Sequence, residues 1–260
     1  MTLCCRQLAA LCALSLRELY RRKDVWVVFT LGLLILAPLA AIKPYGIGGG
    51  SRHLFEIAQL LIWISAAVIA ISVAGRQFPP EFEHRTIYPL LAKPVSRTTL
   101  LAGKFLGAWV ASVSATGCFY LAYGLFAGAK MGTWFPSVFC QAFVLHVGFL
   151  TLVTAFSLLG SFCFTPTANL TVCGVVVGGM FAIGQRLPEM TAGQPAVIRT
   201  LAKLIYVAAP HVEFFDLRRR VVHEWGPVGW QVVAAVLLYA VVYSGACLLL
   251  AGWIFRRRKC

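Results

Sequence analysis

Long apolar runs separated by short polar stretches organise this chain. A helix that crosses the hydrocarbon layer of a bilayer needs roughly 17–25 predominantly apolar residues. Six stretches meet that description, at about residues 25–42, 57–75, 105–128, 135–162, 168–184 and 231–255. Pro38 stands where it would kink the outer end of the first. The pattern predicts an all-α polytopic membrane protein with six transmembrane helices, forming one domain over residues 1–260.

The polar stretches have their own order. Residues 1–24 read as an N-terminal interfacial helix. Arg6, Arg17 and Arg21 share a face with Ala10 and Ala13, while Leu8, Leu11, Cys12, Leu16 and Leu19 lie elsewhere, which suits a helix with its arginines among lipid headgroups. A plain basic leader to the first span is the alternative. Charges follow this apolar stretch rather than precede it, so it reads as retained and not as a signal peptide. The glycines of residues 46–51 lack the Gly-Lys-Ser/Thr ending of a phosphate loop and read as an outer turn. Residues 163–167 form a very short turn. Residues 185–230 carry four prolines and two stretches of helical spacing. The first holds Ile198, Leu201, Leu204, Ile205 and Ala208; the second holds Phe214, Phe215, Val221, Val222 and Trp225; Pro210 separates them. This loop is either a cap or gate on the outer surface or a passive connector.

Composition agrees with the pattern. The chain is 60% hydrophobic and 12% charged, more apolar than one soluble core of this size can hide. Its 23 Lys and Arg against 9 Asp and Glu sit in clusters beside apolar runs, as at membrane surfaces, without the aromatic interleaving of a nucleic-acid module. With the N-terminus inside, fourteen basic residues fall on the inner side, and six of the nine outer ones lie in the long loop. An even number of spans then returns Arg256, Arg257, Arg258 and Lys259 to the inside. Both termini are therefore expected in the cytoplasm, with Arg17, Arg21, Arg22, Lys23, Arg256, Arg257 and Arg258 as anchors at the membrane interface. The nine cysteines include no C-x-x-C pair and read as small packing residues, so no metal site is expected.

Residues 76–104 form a charged elbow between the second and third spans. Pro80 suits a first helical turn, Glu81 and Glu83 complement the positive end of the helix dipole, and Arg85 lies toward its negative end. A short helix from Pro80 to about Tyr88 follows, which Pro89 and Pro94 prevent from continuing. Ser96 or Thr98 can cap the next helix. Phe82, Ile87, Leu90 and Leu91 stand among the ions, a surface that fits either a groove in a soluble partner or a solvated loop.

An acidic residue before Arg-Thr-Ile, then Leu-Leu-Ala-Lys-Pro-Val-Ser-Arg, then Gly-Lys at the mouth of a span resembles the inner loop of type-2 ABC permeases, in particular the copper-maturation and gliding-associated branch. Here those residues are Glu83, Arg85 to Ile87, Leu90 to Arg97, and Gly103-Lys104. His84 departs from the small or varied residue often found before the Arg-Thr pair. The resemblance implies that the elbow is a coupling helix docking on a separate ABC ATPase subunit. It implies ion pairs from Glu81, Glu83 and Arg85, a docking surface that includes Phe82 and Thr86, an elbow shaped by Leu90, Leu91 and Pro94, and headgroup anchors at Arg97 and Lys104. ATP and Mg would belong to that ATPase, since no Walker A sequence occurs here. Six spans make half a transporter, so a homodimer or paired permease in the bilayer is implied.

Two other classes compete with this reading. A membrane-embedded enzyme needs a constellation, but His146 stands without a carboxylate at ligand spacing, and Ser157 and Ser161 lack a G-x-S-x-G setting. A channel or secondary carrier is the other; ion or proton coupling needs charges near mid-membrane, and the six spans hold no Asp, Glu, Lys or Arg near a centre, which leaves an ion-independent carrier or channel as the alternative.

Overall fold

The computed structural model describes residues 9–14, 16, 17, 26, 30, 50–83, 96–131, 136–186, 190, 195–223 and 225–257. Eight helices carry labels here: α1 Gly50–Gly75, α2 Pro79–Glu83, α3 Arg97–Met131, α4 Ser137–Gly160, α5 Pro166–Ile183, α6 Ala196–Ala208, α7 Arg218–Val222 and α8 Trp230–Arg257. Among the described residues, five helices are long and apolar enough to cross a membrane, namely α1, α3, α4, α5 and α8. The expected span at 25–42 lies outside the described residues. The all-α polytopic reading therefore holds.

Helix α4 is the axis of the bundle. Its apolar window is 67% buried, against 22% for α5 and for α8, whose other faces are left to lipid. It packs on α8 most extensively, and also on α1, α3 and α5. Small residues allow this. A Cβ added at Gly148 would meet Leu237 of α8 at 2.8 Å and Phe215 at 3.0 Å. Lipid removes the hydrophobic drive between helices, so close packing and polar contacts carry association. Three hydroxyls within the spans return to their own helix: Ser112, Thr116 and Thr151 each donate to a carbonyl four residues back.

One polar clasp crosses three helices. The Asn169 amide of α5 donates to the Ser157 carbonyl at 2.9 Å and contacts Ser157 Oγ at 3.2 Å. Ser157 Oγ donates to the Ile71 carbonyl of α1 at 3.0 Å, and Cys173 Sγ donates to Asn169 Oδ1. Added Cβ atoms at Gly75 and Gly160 would both run into the Asn169 side chain. The clasp exists because those two positions have no side chain.

At the other end, the segment between α5 and α8 is built into the bundle. Val212 and Phe215 are fully buried, His211 N–H donates to Tyr239 Oη of α8, and His223 meets Glu56 of α1 at 3.0 Å. Gln141 of α4 bonds both backbone groups of Val228. The first expected loop helix forms as α6, and Val197, Leu201, Leu204 and Val207 on it are exposed, as on a helix lying in an interface. The second does not form as one helix. A 3₁₀ turn over Val212–Phe215 is followed by the short α7. Asp216 breaks the continuity: its backbone is extended, and its carboxylate takes the Arg218 backbone N–H and both arms of the Arg218 guanidinium. His146 is a packing residue, with Nδ1 3.1 Å from Tyr120 Oη and its ring 4.6 Å from that of Trp63.

Gly160→Ala presses a methyl onto Asn169 and is expected to cost about 1–3 kcal/mol, as overpacking does. Gly174→Ala meets nothing within 4 Å and should leave stability unchanged. Thermal unfolding of the two purified variants in detergent separates the outcomes, and equal midpoints would remove the clasp from the account.

Candidate functional site

The elbow begins where α1 ends at Gly75 and re-enters the bundle at Ser96. Local chemistry sets both ends. The Gln77 N–H bonds the Ala74 carbonyl, and α2 opens with two prolines at Pro79 and Pro80 and with Glu81 in its first turn. Five residues of α2 are described as helix; the expected continuation to Tyr88 lies outside the described residues. On the far side, Ser96 Oγ accepts from the Thr99 backbone N–H at 3.1 Å, capping α3. The third span was expected to begin near Phe105, yet its helix starts at Arg97. Capping by Ser96 and neutralisation of Lys104 let the helix run through two charged positions.

Lys104 lies inside the protein. Its side chain is only 6% exposed. The ammonium pairs with Glu81 Oε1 at 2.5 Å, donates to the Gln77 carbonyl at 2.6 Å and lies 4.9 Å from the centre of the Phe78 ring. A buried ammonium is costly unless paired and hydrogen-bonded, and here one carboxylate, one carbonyl and one aromatic face answer it. The pair fastens α2 to the second turn of α3.

Around it lies an aromatic knot. Phe78 and Phe82 of the elbow meet Phe162, just past α4, and Phe255, in the last turns of α8. Ring centres are 4.5 Å apart for Phe78 and Phe162, and 5.6 Å for Phe162 and Phe255. Phe78, Phe162 and Phe255 are buried almost completely. Such pairs contribute about 0.5–1.5 kcal/mol each beyond area burial.

Arg97 closes the ring of contacts. Its guanidinium donates to the carbonyls of Phe255 at 2.8 Å and Arg256 at 3.3 Å, and lies 5.4 Å from the Phe255 ring centre. The last carbonyls of a helix lack partners within it and carry partial negative charge. Arg97 thus bolts the start of α3 to the end of α8. Leu11, in the N-terminal helical residues, packs on the same root: a Cβ added at Gly103 would lie 2.6 Å from Leu11 Cβ.

Of the residues expected to dock, the structure therefore turns Glu81, Phe82 and Arg97 partly or wholly toward the chain itself. Glu83 is exposed. Arg85, Thr86, Leu90, Leu91 and Pro94 lie outside the described residues. Among the expected anchors, Arg17, Arg256 and Arg257 are exposed, and Arg257 covers the Trp253 ring at 3.9 Å; Arg21, Arg22, Lys23 and Arg258 lie outside the described residues. Sequence reasoning missed Asn169 and Phe162, whose roles depend on partners brought up by folding.

The described residues of the elbow thus touch the near ends of three membrane helices. A family model described as ABC-2 family transporter protein matches residues 11–260, nearly the whole chain. The chain belongs to this family. No curated protein matches it. As an ABC-2 permease, it is a multi-pass membrane component of an ABC transporter, and membership implies partnership with an ABC ATPase subunit.

Removing the Lys104 charge tests the elbow's construction. Lys104→Met leaves Glu81 unpaired and is expected to cost about 3 kcal/mol, the usual penalty for breaking a buried pair from one side. Lys104→Met combined with Glu81→Gln should recover more than half of that loss. Detergent melts of the four proteins of the cycle report it, and purely additive losses would mean that the two residues do not act as a pair.

Proposed function

We propose that residues 76–104 are the seat of the ATPase, and that the elbow passes ATP-driven motion of that subunit to α3, α4 and α8. The observation that supports this reading most is the joint attachment of the elbow to the near ends of all three helices, through Lys104 to α3, through Phe162 to α4, and through Phe255 and Arg97 to α8. A push on α2 reaches three spans without crossing a loop.

In this reading Glu83, with Arg85 and Thr86 beyond it, presents charge to the ATPase, while Leu90, Leu91 and Pro94 set the shape of the contact. Glu81, Phe82 and Arg97 act one step further in, holding the elbow to the bundle. ATP and Mg reside in the ATPase. Two permeases, identical or paired, rock between states that ATP binding favours differently, since a nucleotide shifts such an equilibrium only by its differential affinity for the two states. The basic clusters support a cytoplasmic position for the elbow and both termini. The run from Glu83 to Lys104 favours the copper-maturation and gliding-associated branch. Uncharged span interiors suit an apolar or amphipathic substrate.

Co-expression with an ABC ATPase subunit, the partner that family membership implies, tests the proposal. Glu83→Lys reverses an exposed charge at the docking face and is expected to lower ATPase recovery on the tagged permease by about tenfold, in the range measured for charged contacts at interfaces. Equal recovery by wild type and variant would overturn the docking assignment, and substrate turnover by the purified chain alone would favour an enzyme.

A further inference from the structure

A groove runs between the first turns of α3 and the last turns of α8. Its volume is about 540 Å³, within the range of small-molecule sites. Thr98 and Leu101 of α3 form one wall; Gly245, Gly252, Trp253 and Arg256 of α8 belong to the other. The two glycines are seven residues apart and so lie on one stripe of the helix, two turns apart. They make the hollow. A Cβ at Gly245 would meet nothing within 4 Å, and one at Gly252 would only touch Leu101 at 3.6 Å. Close helix packing therefore does not require glycine at either position.

The groove is apolar along its length and basic at its mouth. Arg256 is exposed there, beside the Thr98 hydroxyl, and Arg257 lies over Trp253. An apolar trough in a membrane protein that ends in a tryptophan and two arginines matches one chemical class: a lipid with a negative headgroup. Basic pockets between spans hold such headgroups, and tryptophan sits at headgroup level. Arg97 at the start of α3 donates to the α8 carbonyls, and Arg256 is the charged residue that lines the groove itself.

We propose that this groove is a binding site for an anionic glycerophospholipid, one acyl chain lying along Gly245 and Gly252 and the phosphate on Arg256. The lipid would sit against the joint by which Arg97 holds α3 to α8. It would thus brace the elbow's attachment from the membrane side. This goes beyond ATPase docking and does not depend on it.

Native mass spectrometry of the full-length chain, delipidated in detergent and titrated with phosphatidylglycerol or phosphatidylcholine of identical acyl chains, tests the site. Wild type should retain one phosphatidylglycerol per chain in preference to phosphatidylcholine. Arg256→Gln, a change at an exposed position, should weaken phosphatidylglycerol about fivefold and leave phosphatidylcholine unchanged. Gly245→Leu fills the groove and should abolish retention of both, with Gly245→Ala as a control that keeps it. Equal affinity of wild type for the two lipids, or unchanged binding in Arg256→Gln and Gly245→Leu, would overturn the proposal. So would a loss of self-association in Gly245→Leu with lipid binding intact, which would assign the groove to a second copy of the chain.

Discussion

The elbow end of this permease depends on one ammonium group. Lys104 enters a region with little water, where Glu81, the Gln77 carbonyl and the Phe78 ring gather around its side-chain nitrogen. All three partners come from the eight residues that follow α1, so the ion pair sets the direction in which the chain leaves that helix. The direction places Phe78 and Phe82 against Phe162 and Phe255. A buried pair of this kind adds little net stability over an apolar substitute; its effect is geometric, because breaking one side leaves an unanswered charge.

The membrane explains why such contacts are concentrated at the two ends. Within the bilayer, apolar surface gains nothing by leaving lipid for protein, so helices associate through small residues and a few satisfied polar groups. The Asn169 clasp and the glycine at position 148 serve that purpose. At the elbow end, water, headgroups and protein meet, and ion pairs and cation–aromatic contacts take over. At the opposite end, the buried Phe215, the Gln141 bridge and the His223–Glu56 pair tie the long connecting segment to α1, α4 and α8. Helix α4 links the two ends, with Phe162 just beyond one terminus and Gln141 near the other.

Much of this was legible in the residues. Hydropathy located all five described spans, most of their ends to within a few residues, with the starts of α1 and α3 lying earlier than expected, because a bilayer makes composition and length decisive. Ser96 was recognisable as a helix cap, and α6 was recognisable from its spacing. Hydropathy misplaced the start of α3, since Arg97 and Lys104 look like the edge of a membrane until their partners are known. Those partners are remote: Arg97 finds its carbonyls 158 residues later. Asn169 and Ser157 likewise carry no local sign of their clasp. The break at Asp216 was masked by a helical spacing of aromatic and aliphatic residues, which a single carboxylate overrode.

The central claim is that the elbow and the near ends of α3, α4 and α8 move as one body. Spin labels at Pro80→Cys on α2 and at the native Cys163 beyond α4, with the other cysteines replaced, measure it by pulsed electron spin resonance on the permease–ATPase complex. The account predicts the same distance distribution within each protomer with and without ATP, while the distance between the two elbows changes. A shift of the Pro80–Cys163 distance on ATP binding, with the inter-elbow distance unchanged, would contradict it.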